Sequence, residues 1–346
     1  VAKNKRTHIL VIRLSAMGDV AMTVPVLNAF VQKYPDVKIT VLTRAFFTPL
    51  FSQLQNVSVY EADVKGRHKG VFGLWKLFQE LKKQQIDVVA DLHNVLRSNI
   101  LKKYFRFGRI PFAQIDKGRK DKKALTKKKA FRQLKTTHQR YADVFGQLGY
   151  PIELREAMPL KKEKMPSVDL SIEGADILIG IAPFAAFKGK MYPFHLMEKV
   201  VKQLSESGRY KILLFGGGED EKQKLQSLAD LFPNCYNIVG KQTFVEELSL
   251  ISNLKLMLSM DSGNGHLAAM YGIPVVTLWG VTHPFAGFAP FGQPADYAIT
   301  SDRSQFPMIP TSIYGNKMPE GYEKAMETIR PEIVVAKINA ILQKTN

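Results

Sequence analysis

Four turns in this 346-residue chain collect side chains able to do chemistry, and each follows an apolar run that reads as a strand. The richest is Asp261-Ser262-Gly263-Asn264-Gly265-His266, set between residues 254–259 and a short helical stretch at 267–271. A strand, a glycine-containing turn and a helix start together bring backbone N–H groups and a positive dipole end to the carboxyl edge of a sheet. That arrangement suits phosphate or a similar anion. Asp261 and His266 flank the turn, so the same place carries groups able to hold a sugar or ribose. The plainer alternative is an ordinary helix start capped by Ser262 or Asp261. The second turn is Arg13-Leu14-Ser15-Ala16-Met17-Gly18-Asp19, directly after residues 8–12. A carboxylate at a strand's carboxyl end, facing a cleft, can accept a proton from a hydroxyl nucleophile; otherwise Asp19 caps a helix beginning at Val20. The third covers residues 182–193 and offers Lys188 and Lys190 as counter-charges for a diphosphate leaving group. The fourth and weakest, Gly216-Gly217-Gly218-Glu219, sets a glutamate where it could reach ribose hydroxyls.

The elements that must carry these turns alternate. Residues 8–13, 37–43, 57–60 and 87–92 read as strands, with helices over 20–34, 46–54 and 71–84 between them. Charge then dominates until a helix at 137–148. Residues 151–171, with Pro151, Pro159 and Pro166, read as a connection. A second series follows: strands at 177–181, 210–215, 254–259 and 273–279, helices at 194–207, 219–231 and 245–251, and a last helix opened by Pro331. Alternating strands and helices at this spacing predict parallel sheets covered on both faces. The expected fold class is α/β, two doubly wound domains in tandem with a cleft between them. Residues 1–160 form one domain, 161–330 the second, and 331–346 a terminal helix that could pack back on the first.

Composition narrows the classes. One cysteine, Cys235, leaves no internal disulfide and no zinc-finger spacing, which fits a reducing compartment. Arg13 and Asp19 interrupt any signal-peptide core, and no apolar run approaches bilayer length, so a soluble cytoplasmic protein is expected. There is no Gly-x-Gly-x-x-Gly after the first strand and no Walker loop. The seven histidines lack metal-ligand spacing and no Asp-x-Asp pair is present, so no metal or other cofactor is expected. The formal charge is +18, and residues 102–140 hold 15 basic against two acidic side chains, a net +13. Such a block attracts polyanions: nucleic acid, an anionic membrane surface or a phosphorylated glycolipid.

Taken together, the motifs resemble glycosyltransferase family nine, whose best-known members are ADP-heptose:lipopolysaccharide heptosyltransferases. The matching pieces are Arg13-x-Ser15-x-x-Gly18-Asp19 followed by Pro25, Lys190-x-Tyr192-Pro193, and Asp261-Ser262-Gly263-x-x-His266-Leu267-Ala268-Ala269 with Gly272-Ile273-Pro274-Val275-Val276. They occur in family order across about residues 9–284. Two positions depart from the family: Met22 stands where many relatives have histidine, and residues 182–186 lack the hydroxyl side chains that relatives place there.

The resemblance implies a GT-B fold, two Rossmann-like domains facing a central cleft, with acceptor on the first and nucleotide-sugar donor on the second. It implies inversion at the anomeric carbon without a metal. Asp19 would be the general base, with Arg13, Ser15 and Gly18 on the acceptor side. Lys188 and Lys190 would meet the donor's phosphates and Glu219 the nucleoside. Asp261, Ser262, Gly263 and His266 would hold sugar and diphosphate. The implied reaction moves a sugar, heptose from ADP-heptose, onto a lipopolysaccharide core precursor at the cytoplasmic face of the inner membrane, with the basic segment docking that anionic glycolipid or its membrane. Two alternatives stand beside it. One is a nucleic-acid-binding protein that stacks bases on Tyr104, Phe105, Phe107 and Phe131 within the basic block. The other is an inactive relative that binds without turnover.

Overall fold

All strands among the described residues pair in parallel, in two separate sheets. The computed structural model describes residues 6–167 and 177–344. It divides into two units, Val1–Gly118 with Thr137–Leu160, and Arg119–Thr136 with Lys161–Asn346. In the first, β1 (His8–Ile12) leads to α1 (Met17–Ala21) and α2 (Thr23–Lys33), then β2 (Lys38–Thr43), β3 (Val57–Glu61), α3 (Gly70–Lys82), β4 (Val88–Asp91), α4 (Leu96–Phe107) and β5 (Phe112–Gln114). The sheet order is β3-β2-β1-β4-β5. Strands β1 and β2 are almost wholly buried, which is why they read as unbroken apolar runs. Leu74, Leu77, Phe78 and Leu81 of α3 meet Leu101 and Phe105 of α4 over one face of the sheet.

The single helix expected over 20–34 is two. Pro25 has no N–H to give to the carbonyl of residue 21, so α1 stops there and α2 restarts with proline in its first turn. The basic stretch also hides structure. The apolar pair Leu101 and Phe105, four residues apart, seats α4 despite Lys102, Lys103 and Arg106.

Within the same stretch, α5 (Arg119–Thr126) leaves the first unit and α6 (Thr137–Gln147) rejoins it. The segment between is tied to the second unit. Leu125 and Leu134 pack with Ala286, and the Leu134 N–H donates to the Phe285 carbonyl at 2.9 Å. The Arg303 guanidinium lies 3.4 Å from the centre of the Phe131 ring, and the Lys122 ammonium 4.1 Å from that of Phe288. This placement revises the assignment of residues 119–136 to the first domain, and with it the base-stacking alternative. Residues 119–136 belong with the second half of the chain. Phe105 is fully buried against Phe78, and Phe131 is already packed against Arg303, His283 and Phe285.

The second unit contains β6 (Ile177–Ala182), α7 (Phe194–Glu206), β7 (Tyr210–Leu214), α8 (Glu219–Ala229), β8 (Cys235–Asn237), α9 (Phe244–Ser252), β9 (Leu256–Met260), α10 (Gly263–Met270), β10 (Val275–Trp279), β11 (Ala298–Thr300) and α11 (Pro331–Lys344). Its sheet runs β11-β10-β9-β6-β7-β8. The last helix, which the sequence left free to pack back on the first domain, is built into the second unit's core. Val334, Ile338, Ile341 and Leu342 form one helical stripe that joins Met197, Val200, Val201 and Leu204 of α7 in the second unit's core. Asn339 accepts from the Tyr210 hydroxyl at 2.6 Å.

Ile338 is fully buried in that core. Ile338→Ala is expected to lower unfolding free energy by about 2–5 kcal/mol in a urea titration; a change near zero would mean α11 does not hold the second unit together.

Candidate active site

Each sheet is built outward from a middle strand in two directions, so its order reverses once. In the first unit the reversal lies between β1 and β4, in the second between β6 and β9. The loops leaving two such strands diverge to opposite faces and open a crevice at the carboxyl edge, where open α/β sheets bind ligands. Three of the four turns singled out by sequence fall at these two places; the fourth, residues 216–219, follows β7.

In the first unit Arg13 still belongs to the ladder, its N–H bonding the Leu42 carbonyl at 3.1 Å, so its side chain starts at the lip of the sheet. The guanidinium bridges the reversal. Nη1 donates to the Leu92 carbonyl at 2.8 Å beyond β4, and Nη2 lies 2.5 Å from Oδ2 of Asp19. Arg13 is buried, whereas a third of the Asp19 side chain stays exposed. Tyr141 of α6 supports both residues: its hydroxyl donates to the Asp19 carbonyl at 3.3 Å, and Arg13 lies 5.8 Å from its ring centre. Burial pushes the Tyr141 hydroxyl well above its ordinary range. Asp19 is therefore a carboxylate fixed by a buried cation with one side open. Gly18 and Ser15 sit beside it, partly exposed.

Sequence reasoning passed over the opposite wall. Asp91, at the end of β4, accepts from the N–H groups of His93 and Asn94 at 2.8 and 3.0 Å and from Gln114 at 2.7 Å. That turn presents His93, whose Nδ1 accepts from the Leu14 N–H at 3.4 Å. Burial first, then the nearby charge of Arg13, holds the His93 imidazole down to about 3, so it is neutral near pH 7.

In the second unit Lys190 leaves a 3₁₀ turn, Lys188–Lys190, beyond β6 and crosses the reversal to Asp261 beyond β9, Nζ to Oδ2 2.8 Å. Thr282 donates to the same oxygen at 3.0 Å. The path of Lys190 depends on glycines. A Cβ on Gly315 would lie 2.4 Å from the lysine stem, and one on Gly280 would lie 2.2 Å from the Gly189 carbonyl oxygen. Ser262 does not cap α10. Its hydroxyl turns back to Ser259 at 3.1 Å, so its side chain leaves open the N–H groups that begin at Gly263. His266 is buried one turn in, and Lys188 is exposed. Glu219 stands apart from the Lys190–Asp261 pair, exposed at the start of α8 beyond β7 and 3.8 Å from Lys222. It is Glu221 that folds back onto the glycine turn, accepting from the Gly217 N–H at 2.7 Å. Among the described residues, no three or more His, Cys, Asp or Glu side chains cluster as metal ligands.

A family model for glycosyltransferase family 9 (heptosyltransferase) matches residues 74–306. A lipooligosaccharide heptosyltransferase 2 of Haemophilus influenzae is 25% identical over 371 residues, covering 97% of this chain and 100% of that protein. Among solved structures, a glycosyl transferase of family 9 from Veillonella parvula superposes with a TM-score of 0.76 at 21% identity, covering 99% of each chain. The Escherichia coli heptosyltransferase WaaC, solved with ADP-2-deoxy-2-fluoro heptose, gives 0.67 at 17% identity over 96% of this chain and 99% of its own. These likenesses carry the GT-B fold, two Rossmann-like units in one chain.

Two outcomes follow from the geometry. Gly280→Ala forces a methyl against the turn that carries Lys190, with an expected cost of about 1–3 kcal/mol in thermal or urea melts. Gly217→Ala, which meets nothing within 4 Å, is the control and should leave the melt unchanged. The depressed His93 means that, as pH falls below its ordinary 6.5, unfolded chains take up the proton first. Its contribution to stability is complete above 6.5 and is lost progressively toward 3. Urea midpoints of the parent should thus fall toward those of His93→Gln across that window; parallel pH curves would contradict the burial of a neutral ring.

Proposed function

Because this chain belongs to glycosyltransferase family 9, we propose that it transfers heptose from ADP-heptose to a lipopolysaccharide core acceptor, with inversion at the anomeric carbon. The observation that carries the reading is the pair of crevices: one holds a clamped but open carboxylate, the other a lysine beside uncapped helix N–H groups. The acceptor hydroxyl gives its proton to Asp19 as its oxygen attacks the anomeric carbon. The bond from that carbon to the diphosphate oxygen breaks on the opposite side, and ADP leaves with the electron pair. Arg13 acts here as a positioning residue for Asp19, and Ser15 and Gly18 line the acceptor's approach. The charge that develops on the diphosphate falls to Lys190, Lys188 and the N–H groups opening at Gly263, without a metal ion. Asp261 and Thr282 hold Lys190 in place. Asp261 also faces the donor sugar with His266, and Glu219 contacts the nucleoside.

The acceptor's phosphates account for the basic segment. Between Arg119 and Lys135, eight exposed lysines and arginines stand against one exposed acid, Asp121, on a segment pinned to the second unit. That surface attracts an anionic glycolipid or the leaflet that holds it. No helix among the described residues is long and apolar enough to cross a membrane, and we place the enzyme at the cytoplasmic face of the inner membrane as a peripheral protein.

A thermal-shift panel of nucleotides tests the donor assignment, since a ligand that binds only the native state raises the melting point. ADP and ADP-heptose are expected to stabilise the protein, and UDP, GDP and NAD are not. Lys190→Gln should abolish most of the shift. Transfer followed by mass spectrometry should add one heptose to a core acceptor and persist in EDTA. Stabilisation by UDP alone, or transfer that EDTA stops, would overturn the assignment.

A further inference from the structure

The carboxyl edge of the first sheet carries more than the Asp19 crevice. Its strands are all parallel, so each connection leaving a strand's carboxyl end emerges on this edge. After β3 come Val71, Phe72 and Trp75 in the first turns of α3, and after β4 comes Leu96 at the first position of α4. Phe72 is 89% exposed, Leu96 77% and Trp75 40%. Packing does not account for Phe72 and Leu96. α3 already buries Leu74, Leu77, Phe78 and Leu81 against the sheet, so its amino-terminal turns are apolar on the outer side as well. Trp75 is held upright by Tyr104, ring centres 5.0 Å apart, and the Tyr104 hydroxyl donates to the Val71 carbonyl at 3.2 Å.

Charge surrounds this apolar group. Lys65, Arg67, Lys69, Lys76 and Arg97 are exposed there, against Glu61, Asp63 and the partly exposed Glu80, which lies 3.6 Å from Arg67. Five cations against three acids leave the surroundings positive. An aromatic and aliphatic tip ringed by cations is complementary to one environment in particular, the headgroup region of an anionic bilayer. Tryptophan and phenylalanine settle at the acyl boundary there, and lysine and arginine meet lipid phosphates.

We propose that this edge is a membrane-docking surface, with Phe72, Trp75 and Leu96 entering the interface of an anionic leaflet. The proposal deepens the lipid-linked acceptor of the preceding subsection and rests on that reading for its purpose. The base then works at the same sheet edge that meets the membrane, so an acceptor would reach Asp19 without leaving its leaflet.

Trp75 makes the test direct. The chain has two tryptophans, and Trp279 is buried in the second unit, so an emission change on adding vesicles reports Trp75. Full-length protein is mixed with phosphatidylglycerol–phosphatidylethanolamine vesicles, and separately with phosphatidylcholine alone. Expected are a blue shift and quenching by brominated acyl chains with the anionic vesicles, both weakened by salt. Phe72→Ser combined with Leu96→Ser should lower vesicle affinity at least roughly tenfold at an unchanged melting temperature. Leu231→Ser should not, because Leu231 is 58% exposed but belongs to the second unit. No emission change in the parent, an equal loss in Leu231→Ser, or a loss seen only when lysines of 119–136 become glutamine would overturn the proposal. Transfer to a soluble, delipidated core oligosaccharide is measured alongside. Transfer without vesicle binding sinks the docking surface and keeps the function; vesicle binding without transfer does the reverse.

Discussion

A parallel sheet wound in two directions from its middle has one place where adjacent loops must part, and a polar side chain that bridges that gap has to begin at a strand end. Both units meet this constraint with a cation. Arg13, rooted at the end of β1, reaches the Leu92 carbonyl past β4; Lys190, beyond β6, reaches Asp261 past β9. Each bridge closes the bottom of a crevice and fixes a carboxylate there. Removing either cation would leave a buried acceptor unmet and a loop pair without its tie, which is why both are buried or nearly so.

The two bridges differ in a way that suits different work. Around Arg13 the surroundings are rigid and aromatic, with Tyr141 beneath and a neutral His93 opposite, and the carboxylate it holds keeps an open side. Around Lys190 the surroundings are glycines. Gly315 lets the lysine stem run where any larger residue would collide, and Gly280 leaves room for the Gly189 carbonyl of the same turn. There the carboxylate, Asp261, is covered, and what remains open is a helix start. An open carboxylate in one unit and an open helix start in the other are what this division leaves.

Much of this was legible in the sequence. Fully buried parallel strands read as continuous apolar runs, and Asp19, Lys190 and Asp261 stood out because charged residues followed those runs directly. What was missed had no local signal. His93 and Thr282 gain their roles only when the sheet order brings β4 beside β1 and β9 between β6 and β10. Gly280 and Gly315 matter for atoms they lack. In the basic stretch, charge on the outer face of α4 masked Leu101 and Phe105, and β8 and β11, three residues each, were too short to register. The excursion of residues 119–136 to the second unit depends on Phe131, Leu134 and their partners near Phe285, a pairing about 150 residues apart in sequence.

The proposed chemistry rests on one carboxylate, Asp19, taking the acceptor's proton. Asp19→Asn keeps shape and the contact with Arg13 while removing the proton acceptor. In a single-turnover experiment with ADP-heptose and acceptor both prebound, it should slow transfer roughly 100- to 10,000-fold. The thermal shift given by ADP should stay at the parent's value. Transfer within a few-fold of the parent rate would show that Asp19 is not the base, and the account would fail at its centre.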